Sequence, residues 1–98
     1  MDDPGFVVEP PPFDAGQALQ QMQRDLRAMK LTERGTGFEL RGKRVAELQV
    51  DGSTVAARLA RKLALTPEWD RKTIANAAEQ RQWLTALKQR LERWDREE

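Results

Sequence analysis

Apolar and polar residues alternate with a period of two from Gly37 onward. Phe38 and Leu40 alternate with Glu39 and Arg41, and Ala46, Leu48 and Val50 alternate with Glu47 and Gln49. This pattern predicts two strands with Gly42 in the connection between them. Asp51-Gly52 is then the two-residue signal of a β-hairpin. A type I′ turn there sets Val50 opposite Ser53, Leu48 opposite Val55 and Ala46 opposite Ala57, which keeps one face of the pair apolar. A third strand from 53 to about 61 follows from that register. The same segment also suits a helix capped by Ser53, because Ala56, Ala57, Leu59, Ala60, Leu63 and Ala64 are strong helix formers.

On both sides of this block the period lengthens to that of a helix. Asp14 is an N-cap with Gln17 at the reciprocal capping-box position, and Ala15, Leu19, Met22, Leu26 and Met29 line one face of a helix expected to end near Gly35. At the other end, Thr66, Pro67 and Glu68 read as a helix start: a cap, a proline where no N–H is needed, and an acid at the positive end of the dipole. The long helix so begun runs to Glu98. Ala77, Leu84, Leu87, Leu91 and Trp94 recur along it at three- and four-residue steps. At about 30 residues it would be roughly 45 Å long, more than three strands can cover, so its distal half is expected to project. Leu84, Leu87, Leu91 and Trp94 there fit the a and d positions of a short coiled-coil seam, with Trp83 at the edge. Ile74 and Ala78 point away from that seam, which implies either two packing surfaces or a break near Asp70.

The fold expected is therefore α+β. It consists of an N-terminal helix, a three-stranded antiparallel sheet (or a two-stranded hairpin plus an extra helix) and a long C-terminal helix, in one domain over 14–98. Residues 1–13 hold three acids, no bases and Pro10-Pro11-Pro12, and read as a flexible acidic arm in which Phe6, Val7 and Val8 could dock on the domain or on a partner.

Composition narrows the chemistry more than the fold. Leu, Ile, Val and Phe total only 20 of 98 residues, but the net charge is +1 and three tryptophans add bulk, so a small globule is expected and not a disordered chain. The longest early apolar run is Phe6 to Val8, so neither a signal peptide nor a membrane span is expected, and a cytoplasmic location is. Histidine, tyrosine and cysteine are absent, which removes the commonest acid–base group, thiolate chemistry and the commonest metal ligands. Ser53, the one serine, follows a turn, and no phosphate-binding, dinucleotide or zinc motif occurs. No enzyme activity, cofactor or metal is expected.

What remains is binding. The first candidate surface is the seam of Trp83, Leu84, Leu87, Leu91 and Trp94, for a protein partner or a homodimer. There Leu87→Glu is expected to abolish association and leave residual fold. The second is basic: Arg24, Arg27, Lys30 and Arg34 share one stripe, with Lys43 and Arg44 in the hairpin region and Arg71 and Lys72 near the long helix. The order helix, three strands with an Asp-Gly hairpin, and helix is similar to the double-stranded-RNA-binding domain. Arg71-Lys72 followed by Ala75-Asn76-Ala77-Ala78 resembles that family's basic, alanine-rich second-helix motif. The resemblance implies recognition of A-form RNA through phosphate and 2′-OH contacts by Arg71, Lys72, Lys43 and Arg44. A pI near 8.1 with almost balanced charge favours a protein partner over a duplex. An accessory or inhibitor protein of a mobile element also fits the size. Membrane binding is not expected, because Gln20, Gln21 and Asp25 mix the polar side of the first helix.

Overall fold

A computed structural model of the chain describes residues 13–96. In order, they form α1 (Ala15–Ala28), β1 (Thr32–Arg34), β2 (Gly37–Leu40), β3 (Lys43–Asp51), β4 (Thr54–Ala60), β5 (Trp69–Ile74) and α2 (Ala77–Arg96). The strands make one antiparallel sheet in the order β1-β2-β3-β4-β5. The α+β class with a helix at each end is as expected, and the sheet has five strands where three were expected. The reading of an acidic arm falls on residues 1–12, outside the described residues, apart from Phe13, which packs half-buried against the core.

The additional strands come from two helices that are shorter than their sequences imply. Asp14 caps α1 as expected, its Oδ1 accepting from the Gln17 N–H at 3.0 Å. The helix stops at Ala28 and not near Gly35. Lys30 turns into the left-handed region at φ 67°, the Lys30 N–H donates to the Arg27 carbonyl at 2.9 Å, and the Leu31 N–H donates to the Leu26 carbonyl at 3.3 Å. This is a Schellman stop, completed by burial of both Leu26 and Leu31. Its left-handed residue is usually glycine, so a lysine there hides the stop. The chain freed after Leu31 pairs as the β1–β2 hairpin.

The second correction concerns Thr66-Pro67-Glu68, which lie in the β4–β5 connection and cap no helix. Trp69–Ile74 pairs with β4 along its whole length, and α2 starts at Ala77 with Asn76 as its N-cap. Asn76 Oδ1 accepts from the Glu79 N–H at 2.8 Å, while the Glu79 carboxylate reaches back to accept from the Ala75 N–H at 2.8 Å. Two otherwise unsatisfied donors are met by this reciprocal pair.

The strand reading of 53–61 holds, as β4, and the helix alternative does not. Pairing on both edges and burial of Val55, Ala57 and Leu59 outweigh the helix propensity of the alanines and leucine. The hairpin register differs from the expected one by two residues: Val50 faces Val55, Leu48 faces Ala57 and Ala46 faces Leu59. The two-residue turn is Gly52-Ser53, with a positive φ at Gly52 alone, which is the type II′ pattern with glycine at its first central position. A two-residue slip preserves the faces, so the apolar side is the one expected.

Both helices lie on that apolar face and touch each other. Met22 and Leu26 of α1 and Trp83, Leu87 and Trp94 of α2 join Phe38, Val45, Ala46, Leu48, Val55, Ala57, Leu59 and Ile74 in one buried cluster. Val45 and Ala46 are both buried although adjacent in sequence, because a bulge opposite Phe38 places an extra residue, Val45, in β3. Among the described residues, no helix lies over the opposite face of the sheet.

Candidate partner-binding surface

The apolar seam of α2 is turned inward. Trp83, Leu87 and Trp94 are 5%, 0% and 2% exposed, and Leu84 and Leu91 are half-buried against the same core. The expectation of a projecting distal half is overturned. A helix of 20 residues is about 30 Å long, and its far end is tied down. Arg90 donates to the Ala60 carbonyl at 2.8 Å and to the Asp70 carboxylate at 2.7 Å. Arg93 reaches the Arg61 carbonyl at 3.4 Å, and Arg41 meets Asp95 at 3.5 Å. Leu87→Glu would therefore place a charge in the core and test folding, not association.

Along β5 the helix side is polar. Asp70, Lys72 and Ile74 face α2, where Asp70 meets Arg90 and Lys72 Nζ meets Glu79 at 3.3 Å. The Arg61 side chain also bonds Asp70 at 2.7 Å, and this hydrogen bond, followed by that of Arg90, holds the Asp70 carboxyl below its ordinary range. The same contact raises the Arg61 guanidinium. Glu79 is lowered by the Ala75 N–H first and by Lys72 second.

The basic candidates are divided between the two faces. Arg24 bonds Gln21 at 3.1 Å and Arg27 bonds Glu33 at 2.7 Å in the helix layer, while Lys30 closes α1. Arg34 is not in their stripe, because α1 ends before it and Arg34 belongs to β1. Lys43 and Arg44 are successive strand residues on opposite faces, as are Arg71 and Lys72. Strand parity brings Arg34, Arg44 and Arg71 together on the uncovered face.

There the pairing Arg34↔Gly37, Gly37↔Glu47, Glu47↔Arg58 and Arg58↔Arg71 forms one row across all five strands. At Gly37 the row has no side chain, and the Arg44 guanidinium lies across the gap. A Cβ on Gly37 would stand 2.6 Å from it. From that position Arg44 bonds Glu47 at 2.9 Å and the Arg34 carbonyl at 3.3 Å. Glu47 also receives Arg58 at 3.5 Å, and Arg34 meets Glu39 at 3.5 Å. Arg71 is exposed, and no carboxylate bonds it among the described residues.

Arg58, Glu39 and Glu47 were not singled out from the sequence. The signal for Arg58 was present: once 53–61 is a strand, its parity opposes that of Ala57 and Leu59 and points it away from the core. The resemblance to the double-stranded-RNA-binding domain fails on topology. The sheet has five strands, and Arg71-Lys72 lie within β5 and not at the opening of a helix.

Among the described residues, no histidine, cysteine, aspartate and glutamate group could hold a metal ion, and no helix is long and apolar enough to cross a membrane. No protein-family model matches the chain, and searches of curated proteins and of solved structures find no match either.

Proposed function

We propose that this chain is a small, non-enzymatic module that binds a protein partner through the uncovered face of its sheet, with a carboxylate of the partner received between Arg58 and Arg71. The observation that carries this reading is the direct opposition of those two arginines. They form a cross-strand pair of like charge, which a sheet tolerates at a cost, and among the described residues Arg58 of the two has a carboxylate within reach and Arg71 does not. A local electrostatic conflict on an open surface is the kind of departure from stability that binding sites carry. Arginine on a rigid strand also suits bidentate capture of a carboxylate and recurs among the residues that dominate protein interfaces.

The mixed sign of the face favours protein over nucleic acid. Glu39 and Glu47 sit among the arginines, and a uniformly anionic backbone laid over them would meet repulsion, whereas a protein surface can match both signs. Self-association through the α2 seam is not part of this reading, since the inner members of the seam already pack on the chain's own core.

Amide chemical-shift mapping tests the proposal with two probes, a glutamate-rich peptide and a duplex RNA. The expected result is peptide-induced shifts centred on Glu47, Arg58 and Arg71. Shifts caused by duplex RNA alone, or centred on Arg24 and Arg27 of α1, would overturn it.

A further inference from the structure

The sheet has one long edge, β5, that no strand pairs among the described residues, and its hydrogen-bonding phase is fixed. The Arg61 N–H donates to the Glu68 carbonyl at 2.9 Å, continuing the β4–β5 ladder one step past the strands. Antiparallel ladders alternate bonded and non-bonded pairs, so Leu59↔Asp70, Ala57↔Lys72 and Val55↔Ile74 are the bonded ones. The backbone N–H and C=O groups of Trp69, Arg71 and Thr73 therefore point away from β4, off the edge of the sheet. The other edge, β1, is only three residues long. Open edges of this kind are templates for an added strand.

The two sides of the β5 edge differ in chemistry. On the uncovered face Arg71 stands at the rim beside Arg58, and no carboxylate bonds it among the described residues. On the helix side a groove of about 280 Å³ lies between β5 and α2. Its apolar part is formed by Leu59, Trp83 and Ala86, and the Arg90–Asp70 and Lys72–Glu79 ion pairs border it. That volume is below the roughly 300–1,000 Å³ usual for small-molecule sites and suits an aliphatic side chain. Successive residues of a strand point to opposite faces. A segment alternating acidic and aliphatic residues would therefore meet Arg71 with one set and the groove with the other.

A second copy pairing through the same edge is disfavoured by charge. Antiparallel self-pairing through residues 69, 71 and 73 allows three registers, centred on Asp70, Arg71 or Lys72, and each sets that charge opposite itself.

We infer that the β5 edge takes an extended segment of the protein partner as a sixth strand, in which acidic residues alternate with aliphatic ones. The acids lie beside Arg71 on the uncovered face, the aliphatic side chains enter the groove between β5 and α2, and the segment's backbone bonds that of Trp69, Arg71 and Thr73. The inference rests on the reading that a partner carboxylate is received between Arg58 and Arg71, and it adds how the segment carrying that carboxylate is held.

Titration and amide hydrogen exchange on the full chain test it with a capped peptide of alternating glutamate and valine, and with two versions N-methylated at every glutamate or at every valine. Each version keeps the charge of the parent and loses the amide donors along one edge of the peptide. With the parent bound, the Arg71 and Thr73 amides are expected to exchange at least about tenfold more slowly, while Asp70 and Lys72, already bonded to β4, change less. One methylated version should lose at least about tenfold in affinity and the other should bind like the parent, because one edge of an added strand faces β5. Equal affinity of all three peptides, or equal loss in both methylated versions, would overturn the inference and leave carboxylate capture by Arg71 standing. No binding of the parent peptide would overturn that capture and the inference with it.

Discussion

Arg58 on β4 and Arg71 on β5 stand directly opposite each other on the uncovered face of the sheet. The Arg61 N–H donates to the Glu68 carbonyl at 2.9 Å, so the alternation of the β4–β5 ladder puts the Arg58↔Arg71 pair in the non-bonded class, in which Cα atoms approach to about 4.5 Å and side chains are closest. Glu47 reaches Arg58 from the other side and leaves Arg71 without a partner carboxylate among the described residues. Arg71→Glu should therefore stabilise the fold by about 0.5 kcal/mol through a new cross-strand ion pair, while removing the proposed binding. Urea unfolding of the two proteins reads the first effect, and a less stable variant would show that the opposition is not costly.

The α2 seam gives a prediction of the opposite kind. Leu87 has no exposed surface, so Leu87→Ala should cost about 3 kcal/mol of stability through lost transfer energy and a residual cavity. Sedimentation should find the same association state before and after the change. A shift in association state with little loss of stability would return the seam to the surface.

Lys30 closes α1 with a positive φ that a side chain disfavours. Lys30→Gly should raise stability by about 0.5–1 kcal/mol, the left-handed strain relieved less the added entropy of the unfolded chain. Thermal unfolding checks the sign.

Asp70 ties β5 to Arg61 and Arg90, and its carboxyl titrates below the ordinary range. A group with a depressed folded-state pKa contributes stability above its unfolded pKa of about 3.9 and loses it as pH falls through the folded value. Wild type should therefore be more stable than Asp70→Asn at neutral pH, and the difference should shrink as the pH drops through and below the carboxylate range. A difference that stays constant down to that range would mean that the charge of Asp70 is not what matters.

Part of this architecture could be read from the chain and part could not. The Asp14 cap, the α1 face through Met22 and Leu26, and the apolar side of β3 and β4 follow from residue periods, because those elements bury one face against the core. β5 escapes this logic: its inward positions are Asp70, Lys72 and Ile74, and the first two meet charged residues of α2 where apolar packing would be the usual signal. Without an alternating pattern, the segment merged into the helix that follows. β1 was hidden by a helix stop at lysine in place of glycine. The row of Arg34, Arg44, Arg58 and Arg71 depends on strand register, which links positions far apart in the chain. Grouping Arg34 with α1, and Lys72 with Arg71, followed from treating those segments as helices.

The most direct test of the account compares the affinity of one glutamate-rich peptide for the wild-type chain, Arg71→Glu and Arg24→Glu by titration calorimetry. The two variants change net charge equally and differ only in the face they alter. The account predicts a loss of about tenfold or more for Arg71→Glu, in line with removal of a charged anchor, and unchanged binding for Arg24→Glu. Equal losses in both variants would contradict it, because binding would then follow net charge and not the uncovered face of the sheet.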